Sequence, residues 1–305
     1  MFVMDHVFEE GICFEGQYRV AKVGHKYTRY HNPYMIVHLQ DITGIIPAYC
    51  WYGRYHGPKQ LSTHDIVHVC GTMNSFLENW QVSADSLEVL KESDINPSLL
   101  VPVDICPRRD LLVHLARAVD QISAPSLQRF VKRILNDDEI MSRFATVPAS
   151  GRYHHNYPSG TLEHSLECVE VVQRMPGLNN SERDLAVVAA LFHDIGKIRT
   201  NKIGGMTQEG FWVHHNALTC EILGDHLKSL DCDWPDAAYV LRHIWSFLHK
   251  GPTQSRSSLA GLVAYADQYS AERAQEKAAF ADQKTWKTAV KDLNGNLRMR
   301  LREAA

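Results

Sequence analysis

Leu191-Phe192-His193-Asp194-Ile195-Gly196-Lys197 ends an apolar run that begins at Val187 with an imidazole, a carboxylate, a glycine and an amine. The run before it predicts a helix that is apolar around most of its circumference and therefore buried. An ionised aspartate at the end of such a helix is costly to bury without a cation or a partner. Neighbouring residues on a helix diverge by about 100°, so His193 and Asp194 reach one point most easily at a helix end. Gly196 sets that end. The stretch predicts a helical unit organised around a polar site, and Lys197, three residues beyond the aspartate, suggests an anionic substrate.

Further out, the same residue types recur. His164 lies beside the apolar face of a helix expected over Thr161 to Met175, with Leu162, Leu166, Val169 and Val172 on that face. His215 precedes a helix expected over Ala217 to Leu227, His243 and His249 fall in one over Pro235 to His249, and Asp267 ends the apolar run Leu262 to Ala266. A single histidine on an apolar helix is more often a packed residue than a ligand, and 17 histidines make some coincidences certain. The order and context favour a divalent-metal set of His164, His193, Asp194, His215, His243, His249 and Asp267. A mixed imidazole and carboxylate shell suits Mn²⁺ best, with Fe, Ni, Zn or Mg as alternatives, as one or two ions. A cation that acidifies water supplies a hydroxide for in-line attack on phosphorus. Lys197 then binds a non-bridging phosphate oxygen; the competing account is a lysine favoured by a helix C-terminus.

The fold class read from the whole chain is multi-domain α+β. Residues 1–95 read as short strands: Gln17 to Val23, Tyr34 to Leu39, Ile45 to Trp51, Ile66 to Met73 and Gln81 to Ser83, with Glu78-Asn79 at a hairpin tip. Short strands with turn signals at regular spacing predict a five-stranded β-barrel of the OB-fold kind, with Trp51 to Asp65 as its helix or loop insertion. Residues 96–150 read as a helical connector. Residues 151–305 read as an all-α domain in which Ser181-x-x-Asp184 starts the central helix, and a basic C-terminal helix follows from Glu272.

Length and composition narrow the class. The chain has 305 residues, 45% hydrophobic and 22% charged, as a globular two-domain protein should. A net charge of −3 excludes a global basic field, so a polyanion site must be local. Seven cysteines without a CxxC pair argue for reduced thiols in a reducing cytoplasm. The N-terminal residues lack a secretory pattern and no run approaches a membrane span, so a cytoplasmic protein with no membrane partner is expected.

These motifs resemble the HD-domain superfamily of metal-dependent phosphohydrolases, whose H…HD…D signature maps onto His164, His193, Asp194 and Asp267. Members with two metals add histidines before the final aspartate, and His215 fits that place. Over nearly the whole chain the sequence is similar to the YhaM-type 3′→5′ exonucleases, which join an OB-fold to an HD domain. The matching stretches are His154-His155-Asn156-Tyr157 before Glu163-His164, the His193-Asp194 stretch, Thr207-Gln208-Glu209-Gly210 before His215, and Ala266-Asp267-Gln268. Relaxase-associated HD proteins share the stretch from His154-His155 to His164. Where relatives carry His-His-Gly, this chain has His249-Lys250-Gly251. The resemblance implies a metal-dependent phosphodiesterase, a 3′→5′ exonuclease on single-stranded RNA or DNA, with His154, His155 and Tyr157 near substrate. The alternatives are an HD hydrolase of small nucleotides and a non-catalytic single-strand-binding protein. A homo-oligomer is compatible with either.

An OB-fold binds single strands on its exposed sheet face and loops. Tyr27, Arg29, Tyr30, Tyr34, Trp51 and Arg54 crowd two predicted strand-turn regions, with Lys22, Lys26 and Lys59 nearby. Aromatic rings offer stacking platforms and basic groups neutralise phosphates. For Trp51 and Trp80, packing in the barrel core is the competing expectation.

Overall fold

The computed structural model describes residues 3, 8–77, 79–91, 94–96, 99, 105–151, 155–247, 255–281, 288–292 and 294–299. It divides into two compact units, Met1–Ile105 and Cys106–Ala305.

The first unit is built on five strands: β1 (Cys13–Tyr27), β2 (Pro33–Gln40), β3 (Ile45–Trp51), β4 (Ile66–Phe76) and β5 (Asn79–Val89). They close into a barrel in the order β1-β2-β3-β5-β4, every pair antiparallel except β3 with β5. The five-strand OB-like layout expected from the sequence is present. Alternation along each strand buries Phe14, Tyr18 and Val20 from β1, Met35, Val37 and Leu39 from β2, and Val67, Val69 and Met73 from β4. A register shift between Val20 and Lys22 lets the long β1 curve round the barrel and pair with both β2 and β4. Phe76 and Asn79 are partners, so the β4-β5 hairpin turns at Leu77, which has φ 49°, one residue before the expected tip. Residues 52–65 form turns and a single bridge, His56 to Ser86, without a helix.

The second unit begins with α1 (Arg109–Asp120), α2 (Pro125–Leu135) and α3 (Asp138–Phe144). These three helices, read from the sequence as a connector, lie inside that compact unit, with α1 on α4 and α2 on α5 and α9. Its centre is α4 (Gly160–Gln173) and α5 (Asn180–Phe192), with α11 (Ser258–Phe280) packed on both. Between α5 and α11 run α6 (Lys197–Thr200), a two-stranded hairpin of β6 (Asn201–Lys202) and β7 (Gly205–Met206), α7 (Gln208–Trp212), α8 (His215–Ile222), α9 (Gly224–Asp233) and α10 (Pro235–Ser246). Every residue of α5 from Asp184 to Phe192 is buried, as its apolar run requires.

Two expectations are corrected. The capping box of α5 is Asn179 with Glu182, two residues before the expected start. Asp184 instead accepts from the Ser123 amide at 3.0 Å, the Ser123 hydroxyl at 2.8 Å and the Ala124 amide at 2.8 Å, satisfying backbone donors ahead of α2. The expected basic C-terminal helix ends at Phe280, and β8 (Ala289–Lys291) pairs with β9 (Leu297–Met299), so the helical unit is not purely α. Arg298 sits in β9 and donates to Asp292 at 2.8 Å; Arg300 and Arg302 lie outside the described residues.

Candidate functional site

Three helices deliver the buried polar group of the second unit. His164 projects from α4, His193 and Asp194 follow the last residue of α5, and Asp267 lies within α11. One donor atom from each of the four lies within 4.8 Å of the other three. His164 Nε2 is 3.0 Å from Asp267 Oδ1 and 3.5 Å from Asp194 Oδ2. His193 Nε2 is 3.3 Å from Asp194 Oδ2 and 3.8 Å from Asp267 Oδ1. His215, the first residue of α8, brings Nε2 to 3.1 Å from the other oxygen of the same aspartate, Asp194 Oδ1. The turn between His193 and Lys197 lies so close to α8 that a Cβ on Gly196 would collide with the His215 carbonyl oxygen. Glycine at this position therefore allows the two strings of ligands to meet.

The ring orientations suit ligation. His193 Nδ1 donates to the Ala190 carbonyl at 2.7 Å, which leaves Nε2 as the ring atom facing the carboxylates. Around Asp194 Oδ2 gather the Lys197 ammonium, His193 Nε2 at 3.3 Å and His164 Nε2 at 3.5 Å. An ionic cluster buried in this way is destabilising unless its charges are matched. Two imidazole nitrogens and two carboxylate oxygens converging on one point are the donor set of a borderline divalent cation, so the residues fit one. Cys168 Sγ also approaches His164 Nε2, at 3.9 Å, but burial pushes its thiol pKa well up and keeps it protonated.

Electrostatics couple the same groups. Burial alone would raise the Asp194 pKa; Lys197 and His193 outweigh it and hold the carboxyl well below the usual range. Burial would lower the His193 pKa, yet Asp194 and Asp267 raise it. For His164 burial prevails and its pKa is lowered, keeping the ring neutral as a ligand must be.

Lys197 opens α6 rather than closing α5, so a helix C-terminus does not account for it. It is buried and its ammonium pairs with Asp194 Oδ2. His243 is engaged elsewhere: its Nε2 accepts from the Arg256 amide at 3.2 Å and lies 3.2 Å from Ser255 Oγ. It is not part of the four-donor group. His249 and His154 lie outside the described residues. His155, expected near substrate, is buried, with Nε2 3.4 Å from Glu167 Oε2. Tyr157 is partly exposed and donates to Glu163 at 2.6 Å. The sequence reading missed Glu167 and Ser270, which stand one helical turn from His164 and Asp267 and meet only through the packing of α4 against α11.

In the barrel, Tyr34 of β2 and Trp51 of β3 are cross-strand partners on the outer face, with ring centroids 4.6 Å apart. Tyr49 extends the stack, 6.1 Å from Tyr34 and 5.7 Å from Trp51, and the sequence reading overlooked it although it alternates in phase with Trp51. Trp51 is 37% exposed and belongs to this face, whereas Trp80 packs against the core. The register sets Lys26 opposite Tyr34 and Lys22 opposite His38, so a basic column on β1 borders the aromatic one. Tyr27 and Tyr30 are exposed around the β1-β2 turn, and the Arg29 guanidinium lies 4.7 Å from the centre of the Tyr30 ring. Arg54 is exposed in the loop after β3. Among the described residues no helix is long and apolar enough to cross a membrane.

A helical unit whose central helices converge two imidazoles and two carboxylates on one point defines a metal-binding domain. The family model of the HD domain matches residues 161–272, a span that encloses His164, His193, Asp194, His215, His243 and Asp267. The second unit thus carries an HD domain, a family that is in general one of metal-dependent phosphohydrolases.

Proposed function

We propose that this protein is a metal-dependent 3′→5′ exonuclease acting on single-stranded RNA or DNA. The observation that carries the hydrolase part is the convergence of His164, His193, Asp194 and Asp267, one donor atom of each within 4.8 Å of the others. A divalent cation held there, Mn²⁺ being the favoured ion, supplies Lewis acidity and acidified water for attack on phosphorus. Asp194 offers one oxygen to His164, His193 and Lys197 and the other to His215, so it can face two cations as readily as one. The Lys197 ammonium, already beside Asp194, lies where it can neutralise a non-bridging phosphate oxygen. Burial of His164, Asp194 and Lys197 limits screening of their charges by bulk water, while the Asp267 side chain, 47% exposed, opens the group to solvent.

The single-strand part rests on the barrel. Tyr34, Tyr49 and Trp51 form a half-buried stack on the outer face, flanked by Lys22 and Lys26. Stacked aromatics beside a basic column suit a strand whose bases are unpaired and whose backbone is anionic. The test is incubation with 5′-end-labelled single strands and Mn²⁺. The expected result is a ladder that shortens from the 3′ end. Hydrolysis of free nucleotides with strands left intact would move the assignment to a small-nucleotide hydrolase. Strand retention on a filter without cleavage under any metal would leave only a binding protein.

A further inference from the structure

His164 is the most enclosed of the candidate ligands, with no exposed surface. Its Nδ1 lies 2.9 Å from Ser270 Oγ. Ser270, one turn beyond Asp267 on α11 and itself buried, donates its hydroxyl proton to Glu167 Oε2 at 2.6 Å. A hydroxyl has one proton. With that proton directed at Glu167, Ser270 Oγ must accept from His164 Nδ1–H. His164 Nε2 is then the atom left for a cation: it lies 3.0 Å from Asp267 Oδ1, a contact in which Nε2–H donates until a cation takes the lone pair. A carboxylate can only accept, so Glu167 fixes the direction of the whole chain.

The surroundings of Glu167 keep it ionised. Burial opposes this, but His155 and Ser270 hold its pKa down to about 2. His155 is a built feature of the fold. It adopts φ 50°, unusual for a residue other than glycine, and its carbonyl accepts from the Ala149 amide at 3.0 Å. It lies so near α4 that a Cβ on Gly160 would collide with that carbonyl. The local backbone is thus shaped to bring the His155 ring to Glu167.

We infer that Glu167 is a positioning residue for the metal centre, acting through Ser270 to hold His164 in the Nδ1–H tautomer, with His155 as its anchor. This rests on the reading of His164 as a metal ligand and deepens it, but it does not depend on the substrate. Groups that orient a ligating histidine change metal affinity by roughly 10–100-fold when removed. An amide at position 167 can donate to Ser270 and reverse the chain, placing the imidazole proton on Nε2.

The experiment is calorimetric titration of the full-length protein with Mn²⁺, paired with ¹⁵N shifts of the His164 ring in the metal-free state. Glu167→Gln and Ser270→Ala should each weaken Mn²⁺ about tenfold or more, and in Glu167→Gln the ring should lose its proton from Nδ1 and keep the one on Nε2. The double variant should lose no more than the worse single one, because both interrupt one chain. Ser270→Thr, which keeps the hydroxyl, should restore binding. Wild-type Mn²⁺ affinity with an unchanged tautomer in folded Glu167→Gln would overturn the assignment, as would additive losses in the double variant. A wild-type protein that binds Mn²⁺ yet shortens no strand would refute the exonuclease reading and leave this one standing.

Discussion

The outer face of β2 and β3 and the end of α5 hold their chemistry in opposite ways. The barrel face sets Tyr34, Tyr49 and Trp51 half-buried beside two lysines, an arrangement that is stable without a ligand because the rings pack on one another. The end of α5 gathers two carboxylates, three imidazoles and an ammonium in a largely buried space. Such a cluster is destabilising by several kcal/mol unless its members neutralise one another or a cation joins them. Burial therefore makes the helical site diagnostic of its ligand, whereas a half-buried aromatic stack acquires its meaning only from what binds it.

The sharpest break between the two regions is Asp194→Ala. This carboxylate contacts every other member of the cluster except Asp267, so turnover should fall on the order of a thousandfold while filter retention of a single strand stays near wild type. Comparable losses of turnover and retention would mean that the two regions do not divide the work. Next in size is the response to metal. Mn²⁺ at 100 times its dissociation constant should stabilise the protein by about 2.7 kcal/mol. Hydrogen exchange should slow along α4, α5 and α11 and stay unchanged along β1 to β5. Uniform slowing in both units would show that the ion is not confined to the helical site.

The same contrast explains what could be read from the sequence. His193 and Asp194 stood out because Val187 to Phe192 leaves a charge no solvent; His164 and Asp267, which order, context and resemblance had grouped with them, have donor atoms within 4.8 Å of theirs. β3 was legible over its full length, Ile45 to Trp51, because it alternates cleanly. β5 was read only as Gln81 to Ser83, since Asp85, Ser86 and Glu88 on its outer side look like loop residues. Asp184 was misread as part of a cap on its own helix because its real donors, Ser123 and Ala124, are some 60 residues away in the chain. At the C-terminus the period-two arginines were a strand signal, and Arg298 does lie in β9. Glu167 and Ser270 were invisible for a different reason. A carboxylate and a hydroxyl on helix faces are ordinary until tertiary packing sets one against the other.

Smaller effects belong to the barrel. Tyr34→Ala, Tyr49→Ala and Trp51→Ala should each weaken single-strand binding by about 1–3 kcal/mol, the range for losing one base-aromatic stack, with Mn²⁺ affinity untouched. Tyr49 is the informative member, since it extends the Tyr34–Trp51 pair and lies farther from each than they lie from one another. If only Tyr49→Ala is silent, the strand follows the Tyr34–Trp51 edge alone. The least change is expected from Lys26→Ala. Lys26 sits opposite Tyr34 on the neighbouring strand, so a phosphate following a base stacked on Tyr34 falls within its reach. Removing one phosphate contact should reduce the slope of log affinity against log salt by about 0.7 for a single strand. An unchanged slope would mean that Lys26 only borders the aromatic column, and the backbone of the strand runs along the β1-β2 turn, past Arg29, instead.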